Sequence, residues 1–564
     1  MISRRNFLKT SALAGAALSL TFPNPLQALS NPLRAKVKGA ASFDILIKNG
    51  LIYSGDGRPP ISGDLGIKEG AIAAIGNLGD TADEVVDATG LAVSPGFIDI
   101  HTHTDTNLLQ CPAGDSRIFQ GITTDVGGNC GDSPFPYSDA EWQERNWEVR
   151  FGFPFWRHID GFYHALRKNK IGINYASFTG QGQLRSIVVG DNAVAATSAQ
   201  IEKMKTILAE QLEKGSIGMS CGLEYTPGSY ASNDELVELC KVVASYNGLF
   251  AIHMRNEDDR VEESLKESID IARRSGVRLQ ISHLKAQNAN NWHKAPILLK
   301  LIDEAAASGV DIAFDRYPYT AFSTGLSSFV PLEDRQGSRA EVVARLQDSQ
   351  KKREIAAYGA SRIERLGGPQ NVVITSSRQP ENLKYIGLNL QECANLVGME
   401  VQEFVHYLLI SENMGVSIIG FGMTEENLKL LFAHRLGMPA SDGSVYSPHG
   451  PLSNSMPHPR SYGTFPRFLG TYIREQKVVD LPTAIYKMSA LPASRLGIKD
   501  RGLLIPSYRA DVVVFNPDTI CECSTYAHPH QFNRGIEHVF VNGGWTIKDA
   551  QHTGALAGEV IRLA

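Results

Sequence analysis

Between residues 97 and 441, short apolar runs alternate with amphipathic helical patterns, and this alternation constrains the fold more than any other feature of the chain. Eight runs have strand length: Phe97–His101, Thr123–Gly127, Ile173–Thr179, Ile217–Cys221, Leu249–His253, Leu279–His283, Asp311–Asp315 and Leu436–Ser441. Repeated strand–helix units build a parallel sheet covered by its own helices, and eight of them close into a (β/α)8 barrel of the TIM type. One intervening helix reads clearly. In Ser198–Glu213, the residues Ile201, Met204, Ile207, Leu208 and Leu212 share one face, Ser198 is placed to cap it, and Gly215 follows its end. Glu257–Arg274 and Pro296–Ala307 have the same character.

The seventh crossover is too long for a loop. The stretch from about 324 to 423 contains helical patterns near Arg339–Tyr358 and Asn389–Ser411. It predicts a helical lid inserted over the barrel mouth. The two ends of the chain have a different texture. Asp44-Ile45-Leu46-Ile47, Gly50-Leu51-Ile52-Tyr53, Asp64-Leu65-Gly66-Ile67 and Ala71-Ile72-Ala73-Ala74-Ile75 are short strands between turns, and strand signals return in Val512-Val513-Val514-Phe515 and Val539-Phe540-Val541. We expect one small β-domain built from residues 43–95 and 501–564, with residues 96–500 forming the barrel.

The first thirty residues stand apart. Ser3-Arg4-Arg5-Asn6-Phe7-Leu8-Lys9 resembles a twin-arginine export motif, a weakly apolar stretch runs from Ala12 to Phe22, and Ala28-Leu29-Ser30 puts small residues where signal peptidase cuts. Residues 1–30 are therefore expected to be a signal peptide. The twin-arginine export machinery is then a partner, and the product is a folded periplasmic or secreted protein. Elsewhere no apolar run approaches the ~20 residues that span a bilayer, and no Cys stands near the cleavage point to carry a lipid, so no stable membrane anchor is expected. With 55 Lys and Arg against 60 Asp and Glu, and no run of one sign, a nucleic-acid partner is not expected. Seven Cys, an odd number in a large exported chain, do not make a disulfide framework.

Polar residues collect where the strands end. His101 and His103 close strand one in Ile98-Asp99-Ile100-His101-Thr102-His103, and Cys130 follows strand two in Gly127-Gly128-Asn129-Cys130-Gly131. His253 ends strand five, His283 ends strand six, and Asp442 follows strand eight in Ala440-Ser441-Asp442-Gly443. A lone His at a strand end is usually a hydrogen-bonded core residue, a lone Cys a small buried hydrophobe, and an Asp before Gly a turn. Five strands ending this way together is a different matter, because barrel enzymes place their chemistry at the C-terminal face. Imidazole and thiolate donors suit Zn²⁺.

With these residues in place the chain resembles the amidohydrolase superfamily and, within it, the N-acyl-D-amino-acid deacylase (D-aminoacylase) family. Gln120-Gly121-Ile122-Thr123-Thr124, Gly222-Leu223-Glu224-Tyr225-Thr226-Pro227-Gly228, His253-Met254-Arg255-Asn256-Glu257, Ser282-His283-Leu284-Lys285 and Tyr317-Pro318-Tyr319 carry the likeness, with Lys487-Met488-Ser489-Ala490-Leu491-Pro492-Ala493 and Asp500-Arg501-Gly502 late in the chain. The resemblance implies that Cys130, His253 and His283 hold a tight zinc. It implies that His101 and His103 belong to a second, weaker or empty position, with Cys130 able to bridge. Asp442 would be the general base, and Lys285, Tyr317 and Ser323 would bind the carboxylate of an N-acyl amino acid substrate. If strand six continues past His283, period-two alternation places Lys285 on the same side. Gln181, where many relatives have His, and Asp125, in an unusually polar second strand, depart from the pattern.

Two other readings compete. A cyclic amidase acting on hydantoin- or dihydroorotate-like rings bridges two metals with a modified Lys at the end of strand four, and Ile217-Gly218-Met219-Ser220-Cys221 has none. A non-catalytic periplasmic binding protein on a barrel scaffold needs no carboxylate facing an open metal position.

Overall fold

A computed structural model describes residues 42–79, 81–145 and 148–562. The expected signal peptide, residues 1–30, lies outside the described residues. Barrel strands one to eight are Phe97–Asp99, Ile122–Gly127, Asn174–Ser177 continued by Thr179–Gly180, Gly218–Gly222, Leu249–His253, Arg278–Ile281, Ile312–Arg316 and Gly437–Pro439. Each pairs in parallel with the next: one with two, two with three, and three through eight in turn. The ring closes through a parallel bridge between Thr102 and Gly443. Its backbone bonds run from the Asp442 amide to the His101 carbonyl at 2.9 Å and from the His103 amide to the Gly443 carbonyl at 2.7 Å. The closing seam therefore lies between the residues that carry His101, His103 and Asp442.

The barrel interior is apolar. Ile98, Ile100, Val126, Ala176, Phe178, Ile217, Leu249, Ala251, Ala313, Met438 and Ala440 pack into one cluster, with Leu491, Ala493 and Leu496 joining it. A second layer of helices, including Ser198–Glu213, Asn233–Ser245, Val261–Ser275 and Ala295–Ala307, buries its apolar faces against the outside of the wall. The first of these is capped by Thr197 rather than Ser198. The Thr197 side chain accepts from the Gln200 amide, and the Gln200 side chain accepts in return from the Thr197 amide.

Nine strands from the two ends of the chain form one sheet. Its seam is the antiparallel pairing of Ala92–Pro95 with Val512–Phe515. The crossover after strand seven carries the expected helices, but each pattern is divided. Asp348 ends Arg339–Gln347 and caps Ser349–Arg365, and Gly398 in the left-handed region ends Leu390–Val397 before Val401–Ser411. The insertion is not purely helical. Ala321–Gly325, Ser417–Phe421 and Val372–Ser376 make a three-stranded antiparallel sheet. Their β-branched runs Val372-Val373-Ile374-Thr375 and Ile418-Ile419 carry the strand preference that the helix-period reading of this stretch passed over.

Candidate metal centre

The strand ends bring their polar residues together. The Cys130 thiol lies 3.4 Å from His101 Nε2 and 3.5 Å from His283 Nε2, and His253 Nδ1 lies 2.9 Å from His283 Nε2. His103 Nε2 lies 3.1 Å from Asp442 Oδ1, and His101 Nε2 lies 3.4 Å from the same oxygen. Three donor groups result, each with its atoms within 4.8 Å of one another: Cys130, His253 and His283; His101, His103, Cys130 and Asp442; and Glu224, His253 and Glu257. The thiol belongs to the first two.

The local backbone is bent to achieve this. Cys130, His283 and Asp442 have φ of 55°, 37° and 50°, in the region that favours glycine. Each such residue costs of order 1–3 kcal/mol and persists only where its surroundings hold it. The turn before Cys130 needs Gly128: its φ is 68°, and a Cβ there would come within 2.2 Å of the Phe178 carbonyl oxygen. The Gly128 amide donates to Asp105 Oδ1 at 2.9 Å, which ties the turn to the segment after His103.

Each buried imidazole is backed by a carboxylate. Asp315 Oδ1 lies 3.0 Å from His101 Nδ1, Glu257 Oε1 3.0 Å from His283 Nδ1, and Glu224 Oε2 3.3 Å from His253 Nε2. Such partners fix the ring and raise its basicity in metal sites. Burial alone would raise the Cys130 thiol, but the charges of His101 and His283 hold its pKa well below the usual value. Burial would likewise lower the imidazoles. The Asp442 and Cys130 contacts raise His103 to about 10, and Glu257 and Cys130 raise His253 to about 10. Asp442 is held well below the usual carboxylate range: burial opposes this, and Arg460, His283 and His101 outweigh it. Five acidic groups (Cys130, Glu224, Glu257, Asp315 and Asp442) crowd the imidazoles, with Lys285 beside Glu257, Arg460 beside Asp442, and Arg335 and Arg362 beside Glu224. A thiolate, clustered imidazoles and carboxylates fit a divalent cation of zinc's type.

The groups open on a polar cleft of about 920 Å³, whose walls include His103, Cys130, Tyr225, His283, Ser323, Asp442 and Arg460. Ser323, on the first strand of the insertion, reaches the cleft directly. Tyr317 is buried, its ring lies between the Arg316 and Arg460 guanidinium groups at 3.9 and 4.7 Å, and its hydroxyl has no hydrogen-bond partner among the described residues. Lys285 meets His283, but not through strand alternation. Strand six ends at Ile281, and the ammonium lies 2.9 Å from His283 Nδ1 while donating to Glu257 Oε2 at 2.5 Å.

Several residues of the site escaped the sequence reading. Asp315 could have been found, since a carboxylate ending the apolar run Ile312-Ala313-Phe314 is the signal used for the other strands. Glu257 stands four residues after His253, and Glu224 two after strand four. Arg460, 2.7 Å from Asp442 Oδ2, is the first residue of the short helix Arg460–Arg467, far along the chain from any barrel strand end. The two departures have structural explanations. Gln181 is fully buried between Glu235 and Cys221, and Asp125 pairs with the buried Arg117.

Comparison with known proteins agrees with this geometry. A model of the Amidohydrolase family matches residues 84–368, and a model of the TAT (twin-arginine translocation) pathway signal sequence matches residues 1–21. The chain is 34% identical to D-aminoacylase of Alcaligenes xylosoxydans xylosoxydans, covering 92% of this chain and 97% of that protein. It is 35% identical to N-acyl-D-glutamate deacylase of the same organism, over 89% and 93%. Among solved structures it is similar to N-acyl-D-glutamate deacylase of Bordetella bronchiseptica, complexed with zinc and a phosphonate mimic of the tetrahedral intermediate. The TM-score is 0.79, with 33% identity over 93% of this chain and all of that one. A D-aminoacylase structure with a binuclear metal centre matches with TM-score 0.77 and 32% identity over 92% of this chain and all of that one. A D-hydantoinase structure, at 15% identity over 92% of this chain and 98% of that one and a TM-score of 0.52, shares the barrel fold. The chain belongs to the amidohydrolase family and, within it, to the N-acyl-D-amino-acid deacylases.

Proposed function

We propose that the protein is a zinc-dependent hydrolase of the amide bond in N-acyl-D-amino acids or related dipeptides with a D-residue. One observation carries the reading: a low-pKa thiolate is shared by two donor groups that open on the same cleft, with an ionised carboxylate at its edge. Cys130, His253 and His283 would hold the tight zinc. His101 and His103 would belong to a second, weaker position, with Cys130 able to serve both. When bound, zinc lowers the pKa of its water from 15.7 towards ~7 and polarises the amide carbonyl. Asp442 accepts the proton of the attacking water and later gives it to the leaving amine. Its low pKa keeps it ionised for the first task, and its contact with His103 and Arg460 holds it at the cleft edge.

The substrate carboxylate is read by Lys285, Tyr317 and Ser323. Ser323 lines the cleft, the Tyr317 hydroxyl has no partner among the described residues, and Lys285 supplies charge from behind His283. Arg460 lines the cleft itself and adds a cation beside Asp442. In domain terms, residues 96–500 form the catalytic barrel, with its insertion at about 324–423, and residues 43–95 and 501–564 form the β-domain. The twin-arginine signal sends the folded chain to the periplasm, and among the described residues no helix is long and apolar enough to cross a membrane.

The test is hydrolysis of paired N-acetyl-D- and N-acetyl-L-amino acids, with metal-stripped enzyme titrated with zinc. Activity should follow the first equivalent of zinc and favour the D-series. Turnover of cyclic ureides instead would support the cyclic amidase, although strand four, Gly218–Gly222, carries no Lys. Tight binding without turnover would support a binding protein.

A further inference from the structure

One fully buried guanidinium has no part in the chemistry described so far. Arg117 lies in the short helix Asp115–Ile118 between strands one and two, and none of it reaches solvent. Ile98, Val126 and Ala440 pack in the barrel interior, so alternation turns their neighbours Asp99, Asp125 and Ser441 to the outer face of the wall. Arg117 meets all three there. Its Nη2 pairs with Asp99 and donates to Asp125 Oδ1 at 3.1 Å and to Ser441 Oγ at 2.9 Å, while Nε donates to Asp125 Oδ1 at 3.1 Å. The network continues through the backbone. The Ser441 amide donates to Asp99 Oδ1 at 3.0 Å, and the Gly443 amide donates to Ser441 Oγ at 3.0 Å. Thr104 Oγ1 donates to Asp125 Oδ2 at 2.6 Å.

These three strands deliver one particular set of groups. Strand one leads to His101 and His103, strand two to Cys130, and strand eight to Asp442, which are the four members of one donor group. Asp442 follows Ser441 directly and sits at φ 50°. It therefore needs its flanking backbone held from both sides. A guanidinium is a rigid fork that can do this for several acceptors at once, whereas an ammonium is a single point.

We propose that Arg117 is a positioning residue for the His101, His103, Cys130 and Asp442 half of the site, clamping the ends of strands one, two and eight. The proposal rests on the reading of Asp442 as general base. Arg117→Lys keeps a buried cation but loses the fork. It should retain one tight zinc and hold KM within ~3-fold, while kcat falls ~10- to 100-fold, the scale of a misplacement of about 1 Å. Zinc titration should show the second equivalent binding ~10-fold more weakly, as loss of supporting contacts does at metal sites. In the Asp442→Asn background, Arg117→Lys should cost less than ~3-fold in kcat, because a residue acting through another is not additive with it.

As a control, Arg501→Met breaks a buried ion pair with Asp511 in the β-sheet region. It should lower Tm but leave kcat and both zinc equivalents unchanged. Wild-type kcat and second-zinc affinity in folded Arg117→Lys, or full additivity with Asp442→Asn, overturn the proposal. If Arg117→Lys does not fold, Ser441→Ala takes its place. It removes one acceptor of the fork and should lower kcat ~5- to 10-fold, of the order of one lost ordinary hydrogen bond; no loss overturns the proposal. Wild-type kcat in Asp442→Asn alone removes the base assignment, and second-zinc affinity in Arg117→Lys or Ser441→Ala still decides the clamp.

Discussion

Replacing Asp442 by Asn removes a charge with little change of shape. Asp442 has φ 50°, a region that Asn enters more readily than most non-glycine residues, so the backbone is not forced to move. The amide keeps an oxygen to face His103 Nε2 at 3.1 Å. What goes is the basic carboxylate: burial would raise its pKa, but Arg460, His283 and His101 hold it well below the usual carboxylate range. General acid–base groups contribute ~10²- to 10⁴-fold, or about 2.7–5.5 kcal/mol of transition-state stabilisation. The variant also leaves Arg460, 7% exposed, without its carboxylate partner at 2.7 Å. Breaking a fully buried pair costs about 3–5 kcal/mol. This pair lines an open cleft, so the loss should be smaller and read as a drop of a few degrees in Tm. The assay is kcat and KM on an N-acetyl-D-amino acid at matched zinc content, with metal measured on the purified variant. A kcat within ~3-fold of wild type, with zinc retained, would refute the reasoning, since a general base cannot be worth so little, and would leave Asp442 as a turn residue.

Cys130→Ala should lose the tightly bound zinc, because it removes the thiolate that two of the three donor groups share; metal analysis that finds zinc unchanged sinks the ligand set. Lys285→Met should weaken kcat/KM for an N-acetyl-D-amino acid ~10- to 150-fold, the value of a hydrogen bond to a charged group, and much less for the matching amide. Because Lys285 also pairs with Glu257 beside His283, an equal loss on acid and amide would show that it acts on the metal ligands instead. Lys487 gives a pH test away from the site. Its ammonium is buried, donates to the His434 carbonyl and, at 2.7 Å, to that of Gly437, and burial lowers its pKa to about 8 from 10.5. The unfolded chain therefore binds more protons between about pH 8 and 10.5, so this group's contribution to stability rises with pH across that window, by up to about 3 kcal/mol. Denaturation of wild type and Lys487→Met at both ends of the window should show the wild type gaining on the variant as pH rises; parallel curves would refute the burial effect.

The sequence exposes those parts of the site that obey a period. His101, His253 and His283 stand out because each closes a strand-length run, and Cys130 and Asp442 because each follows one within three residues. The carboxylates behind the rings are less visible. Glu224 and Glu257 lie in loops, where an acid is ordinary, and only the fold turns them toward His253 and His283. Lys285 shows the converse: its neighbour relation to His283 is real, but it comes from a turn at φ 37° that no alternation predicts. Within the insertion, the helices follow their 3.6-residue period. The strand at 372–376 lies among them and pairs with 417–421, more than forty residues away, a partnership that local patterns do not encode.

The sheet that joins the two chain ends also sets a clock. Val512–Phe515 pairs with Ala92–Pro95, so the second partner leaves the ribosome some 420 residues after the first. At ~5–20 residues per second this is a wait of ~20–80 s. During that time the early strands have an open edge, and strand eight, which leads to Asp442, follows Pro95 by some 340 residues. The small β-domain can thus close only after every barrel strand has been made. A transporter that threads nascent chains would act before the sheet could close, whereas the twin-arginine route accepts the finished protein.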